Sequence, residues 1–142
     1  MADVRHEFVD RFEAAWREPL TRFAALFDDE GTLLQQGMER PITRDEIPTH
    51  LAHVRSLIPD QRIEVRRWAA NGNDVFIEWR AAATFRGEPL SWDGASRFTL
   101  REGLIVEEIA YFDTLPLRAR IDPSLGRGDM TAAALAAKAE GR

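Results

Sequence analysis

His50, Glu78, Arg80, Asp93 and Glu108 are the side chains of this sequence whose types and spacing could do chemistry. His50 falls on the apolar stripe of a helix-periodic segment, where an imidazole can exchange a proton near neutral pH. The same position suits a core histidine held by a backbone carbonyl or a carboxylate, and both readings stand. Glu78, Arg80 and Glu108 sit on two strand-periodic segments. Sharing one cavity, the Arg would satisfy both acids and leave one as a general base. On an outer face they would form a cross-strand ladder of ion pairs. Asp93, between Trp92 and Gly94, is read as a bulge residue whose carboxylate is either re-aimed as a base or simply solvated. His50 and His53 lie three apart on a helix without a third ligand at suitable spacing, so no metal is expected. Gly126-Arg127-Gly128 lacks a preceding strand, and no nucleotide or other cofactor is expected either.

Helices must come first in the chain. Val4, Phe8, Phe12 and Trp16 recur every four residues, with Val9 and Ala15 on the same stripe. Pro19 ends that helix and starts another, whose buried side is Leu20, Phe23, Ala24 and Phe27. Asp28-Asp29-Glu30-Gly31 breaks the pattern before a short strand at Thr32–Gln36. Thr43 and Glu46 have capping-box spacing and open a third helix carrying Ile47, His50, Leu51 and Val54, which Pro59 closes. Strand alternation follows over 62–70, 75–85, 90–100 and 104–112, separated by Asn71-Gly72-Asn73-Asp74, Arg86-Gly87 and Arg101-Glu102-Gly103. The order predicts an α+β domain over residues 1–122, with an antiparallel sheet packed against helices. Residues 123–142 form an Ala-rich tail with little apolar bulk to dock with.

Composition narrows the function classes. The 142 residues are 44% hydrophobic and 30% charged, enough for one core. A net charge of −5 argues against nucleic acid. Neither a spanning apolar run nor a leader is read, so no membrane partner and a cytoplasmic location are expected. The absence of cysteine excludes disulfides and thiol chemistry.

The element order, the Leu26-Phe27-Asp28-Asp29-Glu30 exit from the second helix, the Phe76-Ile77-Glu78-Trp79-Arg80 strand and the Tyr111-Phe112-Asp113 ending resemble SnoaL-like proteins of the nuclear transport factor 2-like superfamily. The resemblance covers roughly residues 5–120. It implies a cone-shaped α+β barrel, with a curved antiparallel sheet wrapped around the N-terminal helices and an apolar pocket at its open end. It also implies a homodimer through the outer sheet face. Glu108 and Phe112 would then point inward, and Ile109 and Tyr111 outward. Phe12, Trp16, Gln35, Trp92, Ser96, Phe98 and Phe112 would bind substrate, with His50, Asp93, Glu108 and Arg80 as the catalytic candidates. The face of strand 75–85 that lines the pocket stays open, since both carry bulk.

The site patterns of characterised relatives do not transfer. The ketosteroid-isomerase Tyr, Asp base and protonated Asp fall at Phe12, Gln35 and Ser96. Arg80 matches the Arg of limonene-epoxide-hydrolase-like sites, but its acidic partners fall at Ala82 and Ala110. Scytalone-dehydratase-like sites need two His, and only His50 is placed. Two functions remain open. One is a cofactor-free isomerase, lyase, cyclase or hydrolase acting on a small, mostly apolar carbonyl compound of polyketide-like or terpenoid-like type. The other is a non-catalytic ligand-binding or dimerisation module on the same fold.

Overall fold

In the computed structural model, which describes residues 3–125 and 131–141, two helices open the chain, a third follows the first two strands, and these helices pack against one curved sheet. Helix α1 (Val4–Ala15) buries Phe8, Val9, Phe12 and Ala15, and Asp3 caps its first turn by accepting from the Arg5 amide. Pro19 opens the short α2 (Pro19–Arg22), and a 3₁₀ turn at Ala24–Leu26 leads into β1 (Phe27–Gln35). The Thr43–Glu46 capping box forms as its spacing predicts, over a 3₁₀ turn that feeds α3 (Ile47–Leu57).

Six strands complete the sheet: β1, β2 (Ile42–Thr43), β3 (Arg62–Asn71), β4 (Asp74–Phe85), β5 (Glu88–Arg101) and β6 (Leu104–Phe112). Their order is β2-β1-β6-β5-β4-β3. The sheet is curved around the N-terminal helices, as expected of the α+β fold class, and is not closed. It is also mixed: β1 runs parallel to β6, with Leu33 opposite Glu108 and Gln35 opposite Ala110. The remaining neighbours are antiparallel. The hairpin turns Arg86-Gly87 and Glu102-Gly103 hold all four residues at positive φ, the conformation that two-residue turns between twisted strands require.

Two details depart from the expectation and a third settles a point it left open. β1 begins at Phe27 rather than Thr32, because the acidic breaker is absorbed into a register shift between those two residues. On β4, Val75, Ile77, Trp79, Ala81, Ala83 and Phe85 are buried, so Phe76, Glu78, Arg80, Ala82 and Thr84 face outward. A bulge in β6 sets Thr99 opposite Glu107 but Leu100 opposite Ile105. The extra residue, Val106, brings Ile105 to the inner face alongside Glu108 and Ala110, where strict alternation would put it outside.

The core lies between α1 and the sheet. Phe98 packs against Phe8 and Phe12 with ring centroids 4.9 and 5.4 Å apart. After β6, α4 (Leu115–Ile121) docks through Ala119, and α5 (Ala132–Ala139) buries none of its residues. Gly126-Arg127-Gly128 lies outside the described residues.

Candidate functional site

A cavity of about 50 Å³ opens between α1 and the concave face of the sheet, walled by Phe12, Trp16, Trp79, Trp92 and Phe112. Against these rings it presents Gln35, Gln61, Ser96 and Glu108, so its wall is less apolar than expected. Three of these polar groups have a structural reason to be there. Glu108 alternates inward with Ala110 on β6, in regular register opposite Phe98 of β5. Ser96 follows the regular inward alternation of β5. Gln35 ends β1, next to the β6 residues that carry Glu108 and Ala110.

Gly94 shapes the wall. A Cβ there would come within 2.5 Å of the Trp79 ring and 2.8 Å of Phe112 Cβ, so only glycine lets that indole lie across β5. In this position Trp79 Nε1–H donates to Ser96 Oγ at 3.1 Å.

Glu108 is the electrostatic centre. It is 4% exposed, and its Oε1 makes no hydrogen bond among the described residues. Burial pushes its carboxyl up to about 8, and the Ser96 hydrogen bond pulls only weakly the other way. At neutral pH the group is therefore mostly the neutral acid, held within one unit or so of the ionised form. A carboxyl in that condition can give or take a proton at physiological pH.

His50 stands behind this wall rather than in it. Its Nε2 lies 3.1 Å from Gln35 Oε1, and the ring is half-buried. Desolvation lowers its pKa, with His53 adding a smaller push in the same direction, so it is neutral at pH 7.

Two other candidates are elsewhere. Arg80 and Asp93 face each other across β4 and β5 on the outer surface, Arg80 Nε donating to Asp93 Oδ1 at 2.8 Å. Their strands pair without a bulge, so nothing re-aims Asp93 toward the cavity. Arg80 holds the Asp93 carboxyl below the usual carboxylate range, which makes it a poor base. Glu78 pairs with Arg67, and Arg97 with Glu107, completing a ladder of ion pairs on that face. Phe98, expected to touch substrate, is fully buried in the core beneath Phe8 and Phe12. Of the remaining expected lining, Phe12, Trp16, Gln35, Trp92, Ser96 and Phe112 converge on the cavity with Glu108.

Trp79, Gln61, Ile63 and Ala110 line the cavity without having been singled out. For Trp79 the signal was present: its strand face is wholly apolar, while the opposite face carries Glu78, Arg80 and Thr84. Gln61, just after the Pro59-Asp60 turn, offered no such signal. Among the described residues no group of three or more His, Asp or Glu could hold a metal, and no helix is long and apolar enough to cross a membrane.

Residues 6–108 match the family model of the SnoaL-like domain. No curated protein sequence matches significantly. Among solved structures, the chain is similar to IdmH, a candidate polyketide cyclase from Streptomyces antibioticus, with 17% identity, 82% of this chain and 97% of that one covered, and a TM-score of 0.70. It is also similar to a limonene-epoxide-hydrolase-like (LEH-like) epoxide hydrolase of M. tuberculosis, with 19% identity, 84% and 96% covered, and a TM-score of 0.66. A third is a protein of ketosteroid isomerase-like fold from Catenulispora acidiphila, solved with trimethylamine, at 21% identity, 80% and 90% covered, and a TM-score of 0.72. At these identities the likeness is one of fold.

Proposed function

The chain belongs to the SnoaL-like domain family, and from that membership and its cavity we propose that it is an isomerase or cyclase working by general acid–base chemistry on a small, largely hydrophobic carbonyl compound. The observation that carries this reading is Glu108: a buried carboxyl with a raised pKa, facing a cavity with one oxygen unsatisfied. The ionised carboxylate would take a proton from the carbon next to the carbonyl, leaving an enolate. The resulting acid would return the proton at another carbon, or at oxygen after the enolate has closed a ring. No electrons enter or leave in either case. The aromatic walls exclude water, which strengthens each electrostatic contact inside. Because the ionised form acts as the base, the rate should rise with pH up to about 8.

Hydrogen–deuterium exchange at the α-carbon of 1-indanone, followed by proton NMR in D₂O, tests this directly. Wild-type protein is expected to exchange it about 100-fold faster than Glu108→Gln, the lower end of what a positioned base contributes. Equal rates for the two proteins would remove Glu108 as the base.

The family resemblance also supports a homodimer through the outer sheet face. There Phe76 and Tyr111 are 44% and 50% exposed, Tyr111 on the same outward face of β6 as Ile109. Trp79 is buried on the inner side and takes no part in that face. Light scattering at tens of micromolar should give twice the chain mass, and Tyr111→Arg should halve it. A wild-type monomer would dismiss the dimer.

A further inference from the structure

We infer that His50 is a positioning residue which fixes the side-chain amide of Gln35, so that the cavity meets substrate with the amide N–H donors rather than with the carbonyl oxygen. The inference rests on the reading of the cavity as a carbonyl-binding site and names what receives that carbonyl.

The argument begins with the amide. A glutamine side chain offers an acceptor at one end and two donors at the other, and a half-turn exchanges them. Left to itself in a cavity, it can present either. Here Oε1 lies 3.1 Å from His50 Nε2. A neutral imidazole carries its single N–H on one nitrogen, and with that proton on Nε2 the ring donates to Gln35 Oε1. Turning the amide over would set an NH₂ against that N–H, donor against donor. The Gln35 NH₂ is thereby left for the cavity, where it makes no hydrogen bond among the described residues.

The backbone holds the residue in place. The Gln35 amide N–H points at Met38 Sδ at 3.4 Å, and the next residue, Gln36, donates to the Ala110 carbonyl at 3.2 Å. On the far side α3 carries His50 on a segment anchored by buried Ile47 and Leu51. Two rigid elements thus set one rotatable group. The ligand class that answers such an array is an oxygen with lone pairs only: a ketone, or the enolate derived from it. Each state of that oxygen accepts, and the enolate accepts more strongly.

The test measures binding of 1-[¹³C]indanone by quenching of tryptophan fluorescence, together with the isotope-edited infrared stretch of its carbonyl. His50→Phe keeps a ring of similar size but cannot hold the amide. Affinity should fall about tenfold, the effect of one hydrogen bond, and the carbonyl stretch should rise toward its value in an apolar solvent. Gln35→Met, which keeps length and loses the amide, should do the same. His50→Gln restores a donor at the Nε2 position and should recover both signals. A purely structural role for His50 would change the melting temperature but not the carbonyl frequency. Unchanged affinity and frequency in His50→Phe would overturn the inference. So would failure of His50→Gln to recover them, or a wild-type protein that does not bind the ketone. Ketone binding that depends on His50 but comes with no α-proton exchange would leave this inference standing and remove the catalytic reading of Glu108.

Discussion

Replacing Glu108 by Gln raises the melting temperature well above that of wild type at pH 9 and leaves it nearly unchanged at pH 4.5. The sign follows from the proton. In the folded chain the carboxyl is pushed up to about 8 from an ordinary value of 4.5, so the folded state binds its proton more tightly than the unfolded state does. Below pH 4.5 both states are protonated, and the group imposes no charge on the core. From pH 4.5 to about 8 the unfolded chain releases the proton while the folded one retains it, and stability falls throughout that window. At ~1.4 kcal/mol per unit the full loss is on the order of 4 to 5 kcal/mol, which for a chain of this length corresponds to roughly ten degrees or more. The substituted amide cannot titrate, so the variant escapes the loss.

Other groups act in the opposite sense. Arg40, with help from the Thr43 amide, holds Glu46 down at about 2, and His50 is lowered by burial. Their contributions are present at higher pH and are lost as pH falls, through the region below 4.5 for Glu46 and below 6.5 for His50. The wild-type optimum should therefore lie on the acid side of neutrality. Thermal melts of both proteins from pH 4 to 9 provide the check, and parallel curves would show that Glu108 is not buried as described. Glu108→Gln is thus expected to gain stability and lose catalysis together, as a site that holds a destabilised group should.

Phe98→Ala should cost about 3–5 kcal/mol, the range for emptying an aromatic position in a closed core. Phe98 is fully buried, and its ring meets Phe8 and Phe12, so removal strands two rings of α1 as well as leaving a void. Denaturant unfolding monitored by circular dichroism would read the loss. A cost below about 1 kcal/mol would mean that the ring borders an accessible space after all.

Phe98 also shows where the sequence was legible and where it was not. Alternation along β5 places Ser96, Phe98 and Leu100 on one face, and that face is inside. Being inside is not the same as lining a cavity: the depth at which α1 packs on the sheet decides that, and Phe8 and Phe12 close directly onto Phe98 while Ser96 borders the cavity. Depth is a tertiary quantity with no period. The capping box at Thr43 and Glu46 and the three hairpin turns were readable because their chemistry is local. The outward pairing of Arg80 with Asp93 was readable in principle, since a strand face bearing Glu78 and Arg80 opposite a wholly apolar one belongs outside. The inward position of Glu108 follows from alternation with Ala110, but that of Ile105 does not. Ile105, three residues earlier, is also inside, and only the added Val106 reconciles the two. A bulge is a mismatch between two strands, so neither strand alone announces it.

The parallel pairing of β1 with β6 governs the order in which this protein can be made. Leu33 and Glu108 are neighbours in the sheet but stand 75 positions apart in the chain. On the ribosome, at ~5–20 residues per second, roughly 4 to 15 seconds separate their synthesis. The β3–β4 and β4–β5 hairpins can close during that interval from local contacts. β1 meanwhile waits with the apolar side of Leu33 uncovered, since its main partner is the last strand made. Closure of so long a loop also slows refolding relative to a helical protein of equal length. Gln35 and Glu108, the two groups assigned to the substrate's carbonyl oxygen and its α-proton, therefore meet only at the final step of assembly. An incomplete chain would carry Gln35 and every aromatic wall but Phe112 before it carried Glu108.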